Sequence, residues 1–298
     1  MKQAVLLLAH GAPERLEDVD AYLSFVRSGR PVSPGIAAEV RHRYAEIGGS
    51  SPLLARTREQ AQALERHLLR EGLEARVYFG MRNWHPFLSE TIGQIKADGV
   101  DRIVAMCLAP QYSKLSVGLY FRKVQEAKAA LGLEADIVWT KSFHSHPLLI
   151  EAFFEKLAPL AGRGKVLFTA HSLPERILED ADPYDTEAKA TAQAVAVRAG
   201  LTDWDFAYQS QGMTEDRWLG PTVESMLDSY SAQGLREIVL APIGFVSDHV
   251  EILYDVDILF RKYAADRGIR LTRPESLNDS PAFIAALAAI AAERLRVA

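Results

Sequence analysis

Short apolar runs rich in Val, Ile and Leu alternate along the chain with longer segments whose apolar positions recur at the spacing of an amphipathic helix. The short runs predict seven β-strands, at residues 3–8, 75–79, 102–108, 136–139, 165–169, 205–208 and 237–241. The longer segments predict eight helices, at residues 51–71, 87–98, 119–131, 147–158, 185–199, 222–233, 248–266 and 281–297. Strands that alternate with helices form βαβ units, so this order predicts an α/β fold with parallel sheets.

The chain also repeats part of its own sequence. The matching pairs are VLLLAHGAP (5–13) with VLFTAHSLP (166–174), and GVDRIV (99–104) with GLREIV (234–239). Either match alone can arise by chance, because buried parallel strands use few residue types. Their shared order predicts two similar halves, residues 1–141 and 142–279, with the last helix (280–298) returning to the first half.

Polar side chains follow several predicted strands, at the sheet edge where open α/β proteins bind their ligands. They are His10, Gln111, Tyr112, Ser113, His171, Ser172, Gln209, Ser210, Gln211 and the run 247–251. Two halves that face each other would bring these loops into one cleft.

The segment after the last predicted strand is rich in carboxylates. Asp248 and Glu251 form a D-x-x-E start to a helix, which is close to a capping box. On that helix Glu251 and Asp255 share a face and repel each other, while Asp257 points elsewhere. A nearby metal or protonated histidine would offset the repulsion. A solvated acidic helix start is an equally good explanation of the pattern.

His171 follows an apolar strand, where a histidine is more often packed or hydrogen-bonded than a ligand. Its place at the ligand-binding edge, opposite the carboxylate helix, favours a functional role.

The amino-acid composition and net charge limit the kinds of molecule that the chain is expected to bind. With 48% hydrophobic and 24% charged residues the chain can bury a full core, and its net charge of −5 argues against a nucleic-acid partner. A metal cation or a mostly apolar ligand fits better. Cys107 is the only cysteine, which excludes an internal disulfide and a Cys₄ metal site. No stretch approaches the roughly 18–20 apolar residues of a spanning helix, and no signal peptide is apparent, so we expect a cytoplasmic protein.

Two segments resemble the signature sequences of the ferrochelatase family: FTAHSLP (168–174) and GFVSDHVEILYD (244–255). Further matching segments follow in the family's order along nearly the whole chain; they are HGAP (10–13), IGGSSPL (47–53), APQYS (109–113) and WLGP (218–221). A lone HSLP is a weak signal, but the ordered set is highly specific. The chain therefore resembles a bacterial ferrochelatase.

The resemblance implies two Rossmann-like halves with parallel sheets around a porphyrin cleft. It also implies insertion of Fe²⁺ into a free-base porphyrin in haem biosynthesis, with release of two protons. By the same resemblance His171 and Glu251 are the catalytic pair and the iron-site residues, and His249, Asp255 and Trp218 support them. A neutral imidazole and a carboxylate suit both proton acceptance and weak Fe²⁺ coordination.

The segment 113–120 and the lack of an evident membrane-binding lip favour coproporphyrin III over protoporphyrin IX. Arg30, Arg43, Ser51 and Tyr120 match positions that contact propionates in the coproporphyrin III ferrochelatase branch. Arginine is a natural bidentate partner for carboxylates. Plain surface charge is an equally good explanation of Arg30 and Arg43.

This sequence departs from the family pattern at three places. His10 stands where a tyrosine of the coproporphyrin branch can meet the product iron, so it is a candidate axial haem ligand. Leu259 replaces a further acidic residue beyond Asp255, which puts the outer part of an acidic metal path in doubt. No cysteine-bearing extension follows, so we expect no iron–sulfur cluster, no tightly bound cofactor, and iron as a substrate only.

Two alternatives remain open. One is a cobalt or nickel chelatase of the sirohydrochlorin type, and the other is a non-catalytic haem carrier that uses His10 as its axial ligand. We expect a monomer, and the sequence does not indicate the iron donor.

Overall fold

The computed structural model describes residues 1–212 and 216–296, which form two compact units. The first unit comprises Met1–Phe143 together with the C-terminal stretch from Asn278, and the second comprises His144–Leu277. Residue 297, the predicted end of the last helix, lies outside the described residues. Within the described ranges, no helix is both long enough and apolar enough to cross a membrane.

The first unit is built on a four-stranded parallel sheet. Its strands are β1 (Gln3–Ala9), β2 (Arg76–Met81), β3 (Arg102–Cys107) and β4 (Asp136–Thr140), in the spatial order β2-β1-β3-β4. Its helices are α1 (Val19–Val26), α2 (Pro34–Glu46), α3 (Leu53–Arg70), α4 (Leu88–Ala97), α5 (Val117–Leu131) and α11 (Pro281–Arg296). The central strands β1 and β3 are buried along almost their whole length, as continuous apolar runs predict. Helix α11 packs against α3 and β3.

The second unit has a second four-stranded parallel sheet. Its strands are β5 (Lys165–His171), β6 (Trp204–Gln209), β7 (Glu237–Pro242) and β8 (Arg270–Thr272), in the order β6-β5-β7-β8. Its helices are α6 (Pro147–Leu157), α7 (Tyr184–Arg198), α8 (Val223–Ala232), α9 (Val250–Leu253) and α10 (Arg261–Ala265). Its core joins the inner faces of β5 and β7 to α8 and to the chain that follows α9, through residues such as Leu167, Leu227, Leu240 and Val256.

The two sheets share one topology, which confirms the predicted fold of two similar parallel α/β halves. The first strand of each unit lies inside its sheet between the second and third strands, so β1 corresponds to β5 and β3 to β7. The first sequence repeat covers most of β1 and β5 and the residues that follow them, and the second covers the start of β3 and β7. His10 and His171 consequently occupy the same topological position, at the carboxyl end of the central strand.

Among the helices and strands named above, α1, α2 and β8 were not predicted from the sequence. Helix α2 buries only Tyr44, so it lacks the apolar stripe that reveals a helix. It begins with a local signal instead: the Ser33 hydroxyl accepts a hydrogen bond from the Ile36 N–H at 3.3 Å, and Pro34 follows. Strand β8 has three residues, too few to show a period.

The prediction of one regular helix over residues 248–266 is wrong. The chain forms α9, then a π-helical segment (Asp255–Phe260), then α10. The capping box at Asp248 is also wrong, because the N-cap residue is His249 and its side chain makes no capping bond. The Asp248 carboxylate is used elsewhere: it accepts a hydrogen bond from the Ser276 hydroxyl at 2.7 Å and lies 3.4 Å from the Arg273 guanidinium.

Candidate active site

His171 is the last residue of β5, the strand at the heart of the second sheet. The five residues before it are buried, whereas its own side chain keeps 30% of its surface exposed. Its main-chain carbonyl accepts a hydrogen bond from the Tyr184 hydroxyl at 2.8 Å, and its Nδ1 contacts the carbonyl oxygen of Ser172. A rigid strand therefore presents the imidazole at the carboxyl edge of the sheet.

The loop after β7 carries the remaining groups to the same edge. The N–H groups of Ile243 and Gly244 both donate to the carbonyl of Thr169, at 2.9 and 3.2 Å. Gly244 lies so close to β5 that a Cβ at this position would be 2.8 Å from the Cα of Ala170. Only glycine fits this approach, and the loop then turns toward His171.

Glu251 lies between two histidines. Its Oε1 is 3.5 Å from Nε2 of His171, and its Oε2 is 3.5 Å from Nε2 of His249. The Nδ1 of His249 is 2.9 Å from the carbonyl oxygen of Ser247. The ring of Phe245 packs against both imidazoles, with centroid distances of 6.2 Å to His171 and 4.8 Å to His249. The structure thus brings together three predicted site residues in one cluster.

The charges in this cluster shift the pKa values of its members. Burial disfavours protonation of His171, but the Glu251 carboxylate outweighs burial and raises the pKa of the imidazole above its usual value. Burial likewise opposes ionisation of Glu251, but His171 and then His249 hold its pKa well below the ordinary range. The carboxyl group is therefore ionised at neutral pH.

The contacts of the His171 ring favour one protonation state of the imidazole. Both ring nitrogens of His171 face oxygen acceptors, Ser172 O at Nδ1 and the Glu251 carboxylate at Nε2. An imidazole satisfies two acceptors only when both nitrogens carry a proton. These contacts and the raised pKa of the imidazole both favour the protonated form of His171. Within the described residues no group of three or more His, Cys, Asp and Glu side chains is already arranged around a metal position.

The predicted acidic residues beyond Glu251 have separate partners. Asp255 is buried and accepts a hydrogen bond from the Ser210 hydroxyl at 2.5 Å. Asp257 is paired with Arg273 at 2.7 Å and with Arg261 at 3.0 Å. Leu259 is 37% exposed. Two arginines neutralise Asp257, the outermost of these carboxylates. Together with the apolar Leu259, they argue against an acidic path for the metal beyond Asp255.

Trp218 belongs to the loop that borders the strand end. It pairs through its backbone with Pro174, three residues after His171, and Leu219 N–H donates to the carbonyl of Leu173 at 2.9 Å. Its indole ring lies against Gly212. Trp218 therefore helps to hold the HSLP segment in place.

His10 occupies the equivalent strand end of the first unit and is exposed. The amide nitrogen of Asn83 lies 3.1 Å from its Nε2, and the Tyr120 hydroxyl lies 3.5 Å from its Nδ1. The guanidinium of Arg82 stacks on the Tyr120 ring at 4.9 Å. The structure thus brings together the candidate axial ligand and one predicted propionate residue.

The other predicted propionate residues lie on separate elements of the first unit. Arg30 lies between α1 and α2 and is exposed, with its Nε donating to the carbonyl of Arg27 at 3.2 Å. Arg43 pairs with Glu39 on α2 at 2.9 Å. The Ser51 hydroxyl accepts a hydrogen bond from the backbone N–H at residue 53, at 3.2 Å.

Three neighbours of the cluster were not assigned to the site from the sequence: Tyr184, Phe245 and Gln209. Tyr184 carries no motif signal, since its role depends on a contact between distant segments. Phe245 lies within GFVSDHVEILYD (244–255), and that motif was the usable signal for it. Gln209 was noted as a polar residue after a strand, and that position was the usable signal.

Solved structures with the same architecture identify the class of fold. The chain superimposes on a sirohydrochlorin chelatase from Bacillus subtilis, solved with Fe³⁺, with a TM-score of 0.62 and 9% identity, over 99% of this chain and 96% of that one. A related sirohydrochlorin chelatase from Bacillus subtilis subspecies spizizenii, in complex with cobalt, gives a TM-score of 0.60 and 12% identity over 96% and 92% of the two chains. The fold is therefore that of the chelatases.

Sequence relatives narrow the class further. A family model described as Ferrochelatase matches residues 2–295. A protein named ferrochelatase from Acidobacterium capsulatum is 45% identical, over 97% of this chain and 94% of that protein. A coproporphyrin III ferrochelatase from Halalkalibacterium halodurans is 36% identical, over 99% and 97%. The chain belongs to the ferrochelatase family of metal chelatases, which confirms the family predicted from its motifs.

Proposed function

We propose that this chain inserts Fe²⁺ into a free-base porphyrin, with His171 and Glu251 acting at the reacting atoms. The observation that carries the proposal is the cluster at the end of β5, where a carboxylate lies 3.5 Å from each of two imidazoles. All three side chains remain partly exposed, so a substrate can reach them.

The reaction releases both pyrrole N–H protons as Fe²⁺ forms its bonds to the ring nitrogens. Fe²⁺ attracted to the Glu251 carboxylate displaces the Nε2 proton of His171 to solvent, because two positive charges beside one carboxylate repel each other. The freed Nε2 is then a base within reach of a pyrrole N–H. Glu251, also a carboxylate base, accepts the second proton once the metal has moved into the ring.

The donor set suits a metal that must be passed on. Imidazole nitrogen and carboxylate oxygen bind Fe²⁺ more weakly than thiolates would. His249 supports the transfer, because its Nδ1 bond to Ser247 directs Nε2 toward Glu251. Iron is consumed as a substrate in this scheme, and no resident cofactor takes part.

We propose coproporphyrin III as the preferred porphyrin. Relatives named coproporphyrin III ferrochelatase are 33–36% identical over 97–99% of the chain, although the relatives with 38–45% identity are named ferrochelatase alone. Coproporphyrin III carries more propionates than protoporphyrin IX, and the arginines at 30 and 43 with Ser51 and Tyr120 are candidate partners for them.

We also propose that His10 ligates the iron of the product. Its ring is exposed, and Tyr120 and Asn83 hold it at the strand end equivalent to that of His171. Imidazole nitrogen is a common axial haem ligand.

The function is tested by anaerobic mixing of the protein with Fe²⁺ and each of coproporphyrin III, protoporphyrin IX and sirohydrochlorin, followed by absorbance. Parallel mixtures contain Co²⁺ or Ni²⁺. We expect the fastest metallation with Fe²⁺ and coproporphyrin III. Faster metallation of sirohydrochlorin would establish the alternative chelatase. No acceleration over buffer with any ring, together with tight haem binding, would establish the carrier.

A further inference from the structure

Gln209 ends β6 and is only 2% exposed, although glutamine is usually a surface residue. Its backbone is paired with the strand of the catalytic histidine: the register of β5 and β6 places His171 opposite Gln209. The Gln209 carbonyl also accepts a hydrogen bond from the Ser172 N–H at 2.7 Å. The main chain of Gln209 is therefore fixed relative to His171.

The side chain of Gln209 reaches the other half of the catalytic pair. Its Nε2 donates to the main-chain carbonyl of Glu251 at 3.2 Å, and its Oε1 accepts a hydrogen bond from the Thr169 hydroxyl at 2.6 Å. The carbonyl of Glu251 can only accept, so the amide must direct Nε2 toward it and Oε1 toward Thr169. Thr169 is fully buried, and its hydroxyl thereby sets the orientation of the amide.

Thr169 also holds the start of the loop that leads to Glu251. Its carbonyl accepts hydrogen bonds from the N–H groups of Ile243 and Gly244. Thr169 therefore holds the beginning of the segment 243–251, and Gln209 holds its end. Both residues are anchored in the sheet, beside His171.

We propose that Thr169 and Gln209 form a positioning pair that sets the separation of His171 and Glu251, and with it the gap that Fe²⁺ must cross to the porphyrin. Neither side chain touches the reacting atoms. Gln209 acts through the backbone of Glu251, and the Thr169 hydroxyl acts through the Gln209 amide that it orients. The proposal deepens the ferrochelatase activity proposed above and rests on it for its kinetic consequence, but not for its structural one.

Crystal structures and metallation kinetics of two variants test the pair. Gln209→Met keeps the shape of the side chain but removes both hydrogen bonds, and Thr169→Val removes only the hydroxyl. We expect the His171 Nε2 to Glu251 Oε1 distance to grow by more than about 0.5 Å in Gln209→Met. We expect kcat to fall about tenfold to a hundredfold, with the Kd for porphyrin unchanged. Thr169→Val should show a smaller loss of the same kind.

Gln60→Met is the matched control. Gln60 is also fully buried, and its amide also donates to a main-chain carbonyl, that of Asn278 at 2.8 Å, but in the first unit. It should lose stability while keeping the wild-type kcat. Thr169→Ser keeps the hydroxyl and should restore the rate that Thr169→Val loses. If Gln209→Met does not fold, the comparison of Thr169→Ser with Thr169→Val tests the proposal.

An unchanged His171–Glu251 distance in Gln209→Met overturns the proposal, whatever the rate. Equal rates for Thr169→Val and Thr169→Ser overturn it as well. If the wild-type chain metallates no porphyrin, the proposed function fails, and the distances alone then decide whether Thr169 and Gln209 position the pair.

Discussion

At the scale of single residues, the chemistry depends on how each imidazole nitrogen is used. In both His171 and His249 a backbone carbonyl occupies Nδ1, which leaves Nε2 facing one oxygen of Glu251. The Nε2 atom is therefore the ring nitrogen through which each imidazole contacts the carboxylate of the candidate site. In the proposed reaction, the proton of the His171–Glu251 ion pair lies at the position that Fe²⁺ would take.

The ion pair should stabilise the fold only within a pH window. The pKa of Glu251 is lowered in the folded chain, so its contribution is present above about pH 4.5 and is lost as the pH falls through the folded value. The pKa of His171 is raised, so its contribution is complete below about pH 6.5 and is lost as the pH rises through the folded value.

A double-mutant cycle with His171→Gln and Glu251→Gln, measured by urea unfolding, tests this window. We expect a coupling free energy of about 1 kcal/mol at about pH 5.5, because the pair is partly exposed, and a decline toward zero in alkaline solution. A coupling that does not change with pH would show that the two groups do not form an ion pair.

His10→Ala tests the axial role of this residue. We expect the absorbance spectrum of bound product haem to change, because the variant lacks the nitrogen ligand. His67→Ala, on the surface of α3, is the control and should leave the spectrum as in the wild type. An unaltered spectrum in His10→Ala would dismiss the ligand.

At the scale of elements, the site depends on close packing between one strand end and one loop. The β7 loop crosses over β5 at Gly244, and α9 then begins without a side-chain cap. A π-helical segment follows directly, a feature that is frequent at functional sites. Local helix signals alone do not build this region, so its contacts with neighbouring elements must hold it.

Gly244→Ala should disrupt the site through sterics. Its Cβ would lie 2.8 Å from the Cα and Cβ of Ala170, beside His171, so we expect a loss of about 1–3 kcal/mol in the free energy of unfolding and a slower metallation. Gly93→Ala is the control: it lies inside α4 with room for a methyl group and should gain about 0.5–1 kcal/mol. Thermal unfolding and a rate assay would measure both. Wild-type stability in Gly244→Ala would refute the steric argument.

Arg273 should be the more important of the two arginines on Asp257. Its side chain is 12% exposed, and it bonds Asp257 in a bidentate manner while also reaching Asp248, beside His249. Arg273→Gln leaves two poorly solvated carboxylates, and we expect a loss of about 3 kcal/mol. Arg261→Gln removes a partner that is 49% exposed and should cost under about 1 kcal/mol. Urea unfolding would compare them, and equal losses would contradict this ranking.

At the scale of the whole molecule, the duplicated sheet explains what the sequence could predict. Apolar runs and the VLLLAHGAP/VLFTAHSLP repeat indicated parallel strands and two similar halves, because buried parallel strands consist of continuous apolar residues. The same repeat placed His10 and His171 at equivalent strand ends. The ordered motifs then identified the family, and Glu251 came from the carboxylate run.

Other features could not be predicted, for physical reasons. Helix α2 has almost no buried face, and Asp257 in the π-helical segment pairs with Arg273, which lies 16 positions further along the chain. The link from Gln209 to Glu251 joins residues 42 positions apart, and no local period reports such a contact. The sequence therefore predicted the groups of the candidate site, and the structure added how they are held.

The most direct measurement compares anaerobic Fe²⁺ insertion into coproporphyrin III by the wild type, His171→Ala and Glu251→Ala. His67 and Glu71 form a similar pair on the surface of α3, 3.3 Å apart, and their alanine variants are matched controls. We expect the site variants to lose at least about a hundredfold in kcat while they bind the porphyrin normally, and the controls to keep the wild-type rate. Wild-type rates in both site variants would contradict the assignment of His171 and Glu251.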